Sequence, residues 1–293
     1  MDSRNETESR VYRFLSEDHF AQLYATFIEA FSDYVFPFAL TETQFRNHIN
    51  VNSVDLSRTI GCFENERLIG FSLNGFGDWH GRPTLYDAGT GVIPSMRRQG
   101  ISDGMFERML PEFAEQGIEQ CLLEVVTTNS GAVRLYEKLD FHPVRELALL
   151  QCDAGLALDH ANPGGVEIRE IDEPNWPHLA TFWDGQPSWQ NSPEAMLRSR
   201  SLKRRLGAYI GDECVGYIIF SNNFGRLAQI AVAHNCRNRG IGSLLLKHMQ
   251  SKTADGYSLQ VINIDKSLAS AMRFFRSRGF HERISQHEML ARL

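Results

Sequence analysis

The sequence repeats one order of landmarks across its two halves, and this repeat restricts the possible folds more than any other feature. Three pairs recur at separations of 146, 140 and 139 residues, namely Gly70 and Gly216, Gly100 and Gly240, and Phe141 and Phe280. A nearly constant separation of this size is the signature of a duplicated structural unit. We therefore predict two related domains, one following the other.

The elements around these landmarks also recur. Each half begins with a strand-like segment, at Val11–Leu15 and Val166–Arg169, and continues with apolar residues at helical spacing. Two apolar strands joined by a polar turn follow, within 60–75 and 207–221. The order of elements therefore supports duplication independently of the glycines.

A stretch with linker chemistry separates the halves. Residues 153–165 have no sustained periodicity and end in Asn162-Pro-Gly-Gly165, which sustains neither a helix nor a central strand. Residues 1–150 have a net charge of −9 and residues 151–293 one of +3, which is consistent with two separate modules. The predicted domains are residues 1–152 and 166–293, with 153–165 as the linker.

Composition excludes several classes of protein. The total charge of −6 argues against a general nucleic-acid binder, and no apolar run approaches the ~18 residues of a membrane-spanning helix. The polar start of the chain lacks a signal-peptide pattern. The five cysteines are odd in number and form no CxxC pair, and the histidines show no metal-binding spacing. We expect a cytoplasmic protein with reduced thiols, no metal site, no nucleic-acid partner and no membrane partner.

The most informative motifs are two basic bends that carry glycine, Arg97–Ser102 and Arg237–Gly242. Each lies between an apolar strand and a predicted helix. Small residues there allow a ligand to approach the backbone and leave the first helical N–H groups free, which favours a phosphate or diphosphate. A plain turn that needs glycine only for its backbone geometry is the alternative. No P-loop pattern occurs, and the second bend breaks the dinucleotide pattern at its third glycine.

These motifs resemble those of the GCN5-related N-acetyltransferase (GNAT) family, whose acetyl-CoA loop reads Arg/Gln-x-x-Gly-x-Gly/Ala. The first bend fits with Ser102 in the last small position, and the second fits completely. The family's next hallmark is Asn-x-x-Ala-x-x-Leu-Tyr-x-x-x-Gly-Phe. Residues 129–141 match it except at Asp140, whereas residues 268–280 lack the asparagine and the tyrosine.

The resemblance implies an α/β fold with two consecutive GNAT domains. Each domain would have a mixed, mostly antiparallel sheet flanked by helices, and its parallel fourth and fifth strands would splay to form a cleft. Acetyl-CoA, the acyl donor, would enter that cleft. The chain would then be an acyltransferase that moves an acetyl group to a primary amine by direct attack in a ternary complex.

The resemblance also implies which residues hold acetyl-CoA, through strand N–H groups, loop amides and basic side chains. In the first half these are Thr90, Gly91, Val92, Arg97, Arg98, Gln99, Gly100, Ile101, Ser102 and Asn129, and in the second half Ile230, Ala231, Val232, Arg237, Asn238, Arg239, Gly240, Ile241 and Gly242. The arginines are expected to add positive charge around the bends. Asn129 is equally suited to a helix N-cap.

The first half has the fuller set of catalytic candidates. Tyr136 occupies the position of the family's tyrosine acid, although a half-buried aromatic is the alternative. Asp87 and Glu124 are the candidate general bases, since an amine with a pKa of ~10.4 must lose a proton. Phe275 replaces the tyrosine in the second half. We therefore expect catalysis chiefly in the first half.

Two alternatives remain open at this point: the second half is the catalytic one, or one half is a non-catalytic module that senses acetyl-CoA or supports the fold. The acceptor is a small-molecule or peptide amine, and the acidic first half favours a cationic one. The sequence leaves the oligomeric state undetermined.

Overall fold

A computed structural model describes residues 10–34, 40–157, 163–221 and 224–293. Residues 158–162 of the predicted linker therefore lie outside the described residues. The strands are β1 Val11–Phe14, β2 Ile60–Glu64, β3 Arg67–Trp79, β4 Arg82–Val92, β5 Gln120–Val126, β6 His142–Cys152, β7 Glu167–Glu170, β8 Arg204–Ile210, β9 Glu213–Ser221, β10 Arg226–Val232, β11 Leu259–Asp265 and β12 His281–Arg292. The helices are α1 Phe20–Ala30, α2 Glu42–Val51, α3 Ile101–Glu115, α4 Ser130–Lys138, α5 Trp176–Leu179, α6 Pro193–Arg198, α7 Ile241–Lys252 and α8 Ala269–Arg276.

Contacts divide the chain into two compact units. The first contains residues up to Val144 together with Glu288–Leu293, and the second contains Arg145–His287. The division predicted from the linker, 1–152 and 166–293, is therefore not the division of contacts. The reason is physical: a strand belongs to the sheet with which it forms hydrogen bonds, and linker composition does not report that choice.

In the first unit the strand order is β1-β2-β3-β4-β5, followed by the C-terminal part of β12. Strands β1 to β4 pair antiparallel, and β4 and β5 pair parallel. The last residues of the chain close the edge, where the Leu293 amide donates to the Glu119 carbonyl at 3.0 Å. Met289 and Ala291 are buried in the same core as β5.

Local sequence explains how two helices of the first unit begin and pack. Thr41 caps α2 in a capping box with Gln44, whose side chain accepts a hydrogen bond from the Thr41 amide at 2.8 Å. The apolar stripe of α1 is buried with Phe45 of α2 and with β3. These two helices therefore cover one face of the sheet, and α3 packs in the core of the other face.

In the second unit the strand order is β6-β11-β10-β9-β8-β7. Strands β10 and β11 pair parallel, whereas β6 pairs antiparallel with β11 along its C-terminal half. The expectation of a mixed, mostly antiparallel sheet with one parallel pair is thus confirmed in both units. The first helix of this unit, α5, is short, since it passes into a 3-10 turn that ends at Phe182, before Gly185 and Pro187.

Two further observations concern the chain as a whole. All five cysteines are free thiols, and only Cys214 is more than slightly exposed. In the described part of the chain, no helix combines the length and the apolar character that crossing a bilayer requires.

Candidate active site

The parallel strands separate in the same way in both units. The parallel register of β4 and β5 ends at Asp87 and Leu123, and that of β10 and β11 ends at Leu227 and Val261. Both β4 and β10 continue beyond these pairs. Each unit therefore has a strand whose backbone edge turns away from its parallel neighbour, as the predicted cleft requires.

A β-bulge lies at the point of separation in each unit. The registers of β4 against β3 and of β10 against β9 skip Ala88 and Ala228, which are 140 residues apart. A bulge redirects the backbone groups around it. In the first unit the following residue, Gly89, has φ = 152°, and a side chain there would meet only Leu73, at 4.0 Å.

The two bends also have matching geometry. Gly100 and Gly240 have φ values of 74° and 83° and precede α3 and α7, and no side chain caps either helix. A Cβ atom at Gly100 would meet nothing within 4 Å. Arg98 and Asn238 also have positive φ, at 61° and 59°. An uncapped helix start beside open space suits a diphosphate group.

The first arginine of each bend has a role that the sequence did not predict. The guanidinium of Arg97 donates to the Asp33 carboxylate at 2.7 Å and to the carbonyls of Ala30 and Val92. Arg237 makes the equivalent contacts with Asp184, Phe182 and Val232. Each of these two arginines is thus paired with a carboxylate and anchors its bend to the segment before it, and its predicted contribution to acetyl-CoA binding stays a prediction.

The other predicted bend residues contribute in different ways. The side chains of Ile101 and Ile241 are buried in the core, so only their backbone groups face the bend. Gln99 accepts a hydrogen bond from Arg10. Arg239 donates to the Cys236 sulfur at 3.9 Å. The small residue at Gly242 is needed because a Cβ there would lie 3.0 Å from the Phe274 ring.

Three predicted residues of the first unit meet in one buried cluster. The Tyr136 hydroxyl donates to Asp87 Oδ2 at 3.2 Å, and the Thr90 hydroxyl donates to the same oxygen at 2.9 Å. The Gly89 amide donates to Asp87 Oδ1 at 2.9 Å. Asp87 and Tyr136 are only 6% and 7% exposed. Residues 49 positions apart in sequence thus form one hydrogen-bonded group beside the bulge.

Burial changes the acid–base properties of this cluster. Desolvation raises the pKa of Asp87 to about 6, against the lowering effect of its three hydrogen bonds. Burial and the neighbouring Asp87 carboxylate raise the pKa of Tyr136 well above its ordinary value. Tyr136 therefore keeps its proton at neutral pH, and Asp87 titrates close to neutrality.

Glu124 lies on the opposite face of the sheet. It accepts a hydrogen bond from the hydroxyl of Tyr86, the residue before Asp87 on β4. Successive side chains of a strand point to opposite faces. Leu123 and Val125 are buried in the same core as Tyr136, so Glu124 between them points away from it. The two candidate bases, Asp87 and Glu124, are thus separated by the sheet.

Asn129 serves as the N-cap of α4, because its side chain accepts a hydrogen bond from the Ala132 amide at 3.2 Å. The same side chain has a hydrogen bond with Tyr34, and that bond lowers the pKa of Tyr34 against the larger effect of burial. The capping interpretation of Asn129 is therefore confirmed, and its predicted contact with the pantetheine arm stays a prediction.

Sequence reasoning missed His48 and Tyr86. His48 of α2 donates through Nε2 to the carbonyl of Ala88, the bulge residue, at 2.9 Å. This bond ties the bulge to α2. Side chains alternate along β4, so Tyr86 lies on the face opposite Asp87, and this alternation could have indicated Tyr86 as a neighbour of Glu124. Nothing in the sequence of α2 distinguishes His48 in the same way.

The second unit has a cleft of similar form but different chemistry. A cavity of about 580 Å³ is lined by residues of β10, β11, the bend and α8. At the positions of Asp87 and Tyr136 it has Leu227 and Phe275, which carry no titratable group. Ile230, Ala231 and Val232 line this cavity, as do Asn238 and Gly240.

Comparisons with known proteins agree with this geometry. Residues 17–141 match the profile of the acetyltransferase (GNAT) family, and residues 177–289 match that of the acetyltransferase (GNAT) domain. A [Ribosomal protein bS18]-alanine N-acetyltransferase of Escherichia coli (strain K12) is 35% identical over 51 residues, which are 17% of this chain and 34% of that protein. The chain thus spans about a third of the length of the curated relatives that it matches.

Solved structures share the fold over nearly the whole chain. A putative acetyltransferase from Pyrococcus horikoshii has a TM-score of 0.69 at 16% identity, covering 100% of this chain and 92% of that one. A tandem GNAT protein from the clavulanic acid biosynthesis pathway has a TM-score of 0.70 at 13% identity, covering 97% and 98%. With one family match in each half, the chain belongs to the GNAT acetyltransferase family and has two such domains in tandem.

Proposed function

We propose that this protein transfers an acetyl group from acetyl-CoA to a primary amine, with the chemistry in the first unit. The observation that carries the proposal is the buried cluster of Asp87, Thr90 and Tyr136 at the point where β4 leaves β5. The second unit has apolar residues at all three equivalent positions, namely Leu227, Ile230 and Phe275.

The first bend suits the donor. The uncapped start of α3 and the open space beside Gly100 fit a diphosphate, and the unpaired edge of β4 at Thr90–Val92 fits an amide-bearing arm. When bound, acetyl-CoA supplies a thioester whose acyl carbon is attacked by the amine, with release of the thiol.

Tyr136 is proposed as the acid that protonates the departing sulfur. Its raised pKa keeps the hydroxyl protonated, and its position on α4 faces the separated strands. Asp87 is proposed as a positioning residue. Its two oxygens accept three hydrogen bonds, from Gly89, Thr90 and Tyr136, and fix the hydroxyl of the tyrosine.

Glu124 is proposed as the base that accepts the proton of the amine. It lies on the face opposite Tyr136, so the acid and the base approach the reacting carbon from different sides. Asp87 is the weaker candidate, because its oxygens are already committed to three donors. General acid–base catalysis needs one group that donates a proton and one that accepts a proton, and these two residues would take those roles.

The acceptor of the acetyl group is proposed to be an amine that arrives as a cation and loses its proton in the active site. Residues 1–150 have a net charge of −9, which attracts a positively charged substrate. The partial relative from Escherichia coli is named for acetylating an alanine of a ribosomal protein, which is a peptide substrate. Small-molecule and peptide amines both fit this description.

The test compares two tyrosines of the first unit. Tyr136→Phe removes the proposed acid and is expected to lower kcat about 100-fold, the lower end for general acid catalysis, because a thiol is a tolerable leaving group. Tyr12→Phe removes a hydroxyl that bonds Cys62 away from the cluster and is the control. CoA release with a panel of amines measures both. Equal rates for the two variants would contradict the proposal.

A further inference from the structure

A row of polar side chains crosses the sheet of the second unit at the start of its two parallel strands. Ser221 of β9 lies opposite Arg226 of β10, and Arg226 lies opposite Gln260 of β11. Lys203 comes directly before β8 and has the extended backbone of a strand, with φ = −130° and ψ = 142°. Because β8 and β9 pair from the next residue onward, Lys203 lies beside Ser221. We call Lys203, Ser221, Arg226 and Gln260 the polar row.

The polar row lies on the face of the sheet opposite the main apolar core of this unit. Phe220, Leu227 and Val261, each a direct neighbour in sequence of a row member, are buried in that core. Leu206, three positions after Lys203, is buried there as well. Successive side chains of a strand point to opposite faces, so all four members of the polar row point away from the core.

Two members of the polar row, Lys203 and Arg226, are neighbouring cations without an acidic partner. Arg226 Nε donates to Gln260 Oε1 at 3.5 Å, and within the described residues neither cation forms an ion pair with a carboxylate. Loss of water and the charge of Arg226 lower the pKa of Lys203 to about 8. Two like charges in a poorly hydrated place repel each other, and a bound anion would relieve that repulsion.

The first unit has neither charge nor open space at the equivalent place. There the same registers place Gly75 opposite Tyr86 and Tyr86 opposite Leu122, which correspond to the last three members of the polar row. Tyr86 and Leu122 are 1% and 0% exposed. A Cβ atom at Gly75 would lie 2.1 Å from the Asn52 carbonyl oxygen, and Gly75 also forms a bridge with Val54. The chain between α2 and β2 therefore covers this part of the sheet in the first unit.

The corresponding connection of the second unit is shorter and leaves the polar row accessible. Residues 52–59 join α2 to β2, whereas only residues 199–203 join α6 to β8, and the last of these is Lys203 itself. Arg226 is exposed, and Lys203, Ser221 and Gln260 are half-buried. Solvent, and hence a small solute, therefore reaches all four side chains.

The polar row is separate from the cleft of the second unit. Arg226 is the first residue of β10, and the bend follows the last, so the two lie roughly 20 Å apart along a strand of seven residues. A hydrogen-bonded link lies between them, in which the Gln229 amide donates to the Asn191 carbonyl and Asn191 Nδ2 donates to the Ile262 carbonyl. A ligand of the polar row would therefore occupy a different place from a ligand of the bend.

Three donors of the polar row match the oxygens of a phosphate group. Adjacent strands lie ~4.8 Å apart, so Lys203 and Arg226 flank Ser221 across roughly 10 Å, which two long side chains can close around one small anion. Arginine binds phosphate by paired hydrogen bonds, and lysine contributes a compact charge. A phosphate group offers three oxygens to the guanidinium, the hydroxyl and the ammonium, whereas a carboxylate offers two.

We propose that the polar row of the second unit is a binding site for the phosphate group of a small solute, held by Lys203, Ser221 and Arg226. The ligand is inorganic phosphate or a phosphate monoester, since both present the same dianionic group. The site contains none of the residues assigned to the donor or to the chemistry, so it is independent of the proposed acetyl transfer.

The test measures how fast the Lys203 amine of the full-length chain reacts with acetic anhydride at pH 8, by mass spectrometry of its peptide. Only the neutral amine reacts, and a pKa of about 8 makes half of it neutral at this pH. A bound dianion raises that pKa, and a rise of about one unit lowers the neutral fraction from ~50% to ~10%. We therefore expect saturating inorganic phosphate to slow labelling of Lys203 about fivefold, relative to sodium chloride of equal ionic strength.

Two controls isolate the polar row. Lys252, exposed at the end of α7, should be labelled at the same rate with and without phosphate. Arg226→Gln removes one of the two cations, and phosphate should then change the labelling of Lys203 by less than 1.5-fold. Arg204→Gln is the matched control, because Arg204 forms an ion pair with Glu170, and it should keep the full protection.

A milder variant keeps the test independent of folding. Ser221→Ala removes a single hydroxyl from a half-buried position and should raise the phosphate concentration that gives half-protection at least threefold. Glycerol 3-phosphate represents the monoesters and succinate the dicarboxylates. Protection by inorganic phosphate or by glycerol 3-phosphate, with succinate at least fivefold weaker, is the expected result.

Several results would overturn the proposal. They are an unchanged rate of Lys203 labelling with both phosphate probes, full protection retained in Arg226→Gln, or protection by succinate equal to that by phosphate. An equal fall in the labelling of Lys252 would overturn it as well. The labelling uses no acetyl-CoA and no amine acceptor, so its outcome is distinct from that of the test of acetyl transfer.

Discussion

The two units share the backbone geometry of a cleft and differ in the side chains that line it. Both have a bulge at Ala88 or Ala228 and an uncapped helix that follows a glycine with positive φ. The first unit adds the hydrogen-bonded pair of Asp87 and Tyr136, whereas the second has Leu227 and Phe275. Binding geometry here depends on backbone shape, and chemistry depends on a few side chains, so the two can diverge separately after duplication.

The arginine anchors show how closely the scaffold is kept. Arg97 and Arg237 make the same three kinds of contact, to a strand carbonyl, to a carbonyl of the segment before the bend and to an aspartate. Neither aspartate, Asp33 or Asp184, is part of the predicted catalytic set. The anchoring of the bends is therefore shared by the two units, whereas the side chains at the positions of Asp87 and Tyr136 differ.

Among the variants that test the difference between the two units, we expect the largest loss of activity from a change at Glu124. Glu124→Gln removes the proposed base but keeps a hydrogen-bond acceptor for Tyr86, and we expect kcat/KM to fall about 1000-fold, within the range for general base catalysis. Glu119→Gln, which breaks an exposed ion pair with Arg82, is the control and should stay near the wild-type rate. Steady-state kinetics decides. A loss of less than threefold in Glu124→Gln would remove it from the mechanism.

Met289 tests the strand that the end of the chain contributes to the first unit. Met289→Ala deletes a fully buried side chain from the core around β5 and should lower the free energy of unfolding by about 2–5 kcal/mol. Because residue 289 belongs to the first unit, activity should be lost at a lower temperature. Thermal unfolding followed together with residual activity measures this. An unchanged temperature of inactivation would contradict the division of contacts.

Replacing Asp87 should change kcat less than replacing Glu124 does, and the change should depend on pH. With a pKa of about 6 in the folded protein, Asp87 is ionised above pH 6, so wild-type kcat should rise about tenfold as pH increases through 6. In Asp87→Asn this rise should be absent. A pH–rate profile measured against a fixed acceptor checks it, and an identical rise in the variant would assign the titration to another group.

The carboxyl group of Asp87 also makes the free energy of unfolding depend on pH. The folded state binds this proton more tightly than the unfolded chain, so the contribution to stability is full below pH ~4 and falls as pH rises to about 6. The shift from 3.8 to about 6 corresponds to a loss of about 3 kcal/mol. Denaturant unfolding of the wild type and of Asp87→Asn at both pH values isolates this contribution.

Much of this architecture was predictable from local patterns. The repeated glycines mark the two bends, and Asn129 is the N-cap of α4, as one of its two interpretations predicted. These features depend on neighbouring residues only. A local pattern therefore suffices to predict them.

The structural features that local patterns did not predict depend on contacts between residues distant in sequence. The pairing of Asp87 with Tyr136 joins β4 to α4, and the placement of Glu288–Leu293 in the first unit joins the end of the chain to β5. The ion pairs of Arg97 with Asp33 and of Arg237 with Asp184 also join residues that the sequence does not show to be neighbours. Such contacts are set by packing rather than by composition.

The most direct test of catalysis in the first unit is to move the tyrosine hydroxyl from one cleft to the other. The double variant Tyr136→Phe/Phe275→Tyr has the hydroxyl count of the wild type, with the group placed beside Leu227 instead of Asp87. We predict a kcat as low as that of Tyr136→Phe alone, measured as CoA release at saturating acetyl-CoA. Recovery of the wild-type rate would show that the second cleft performs the chemistry and would contradict the account.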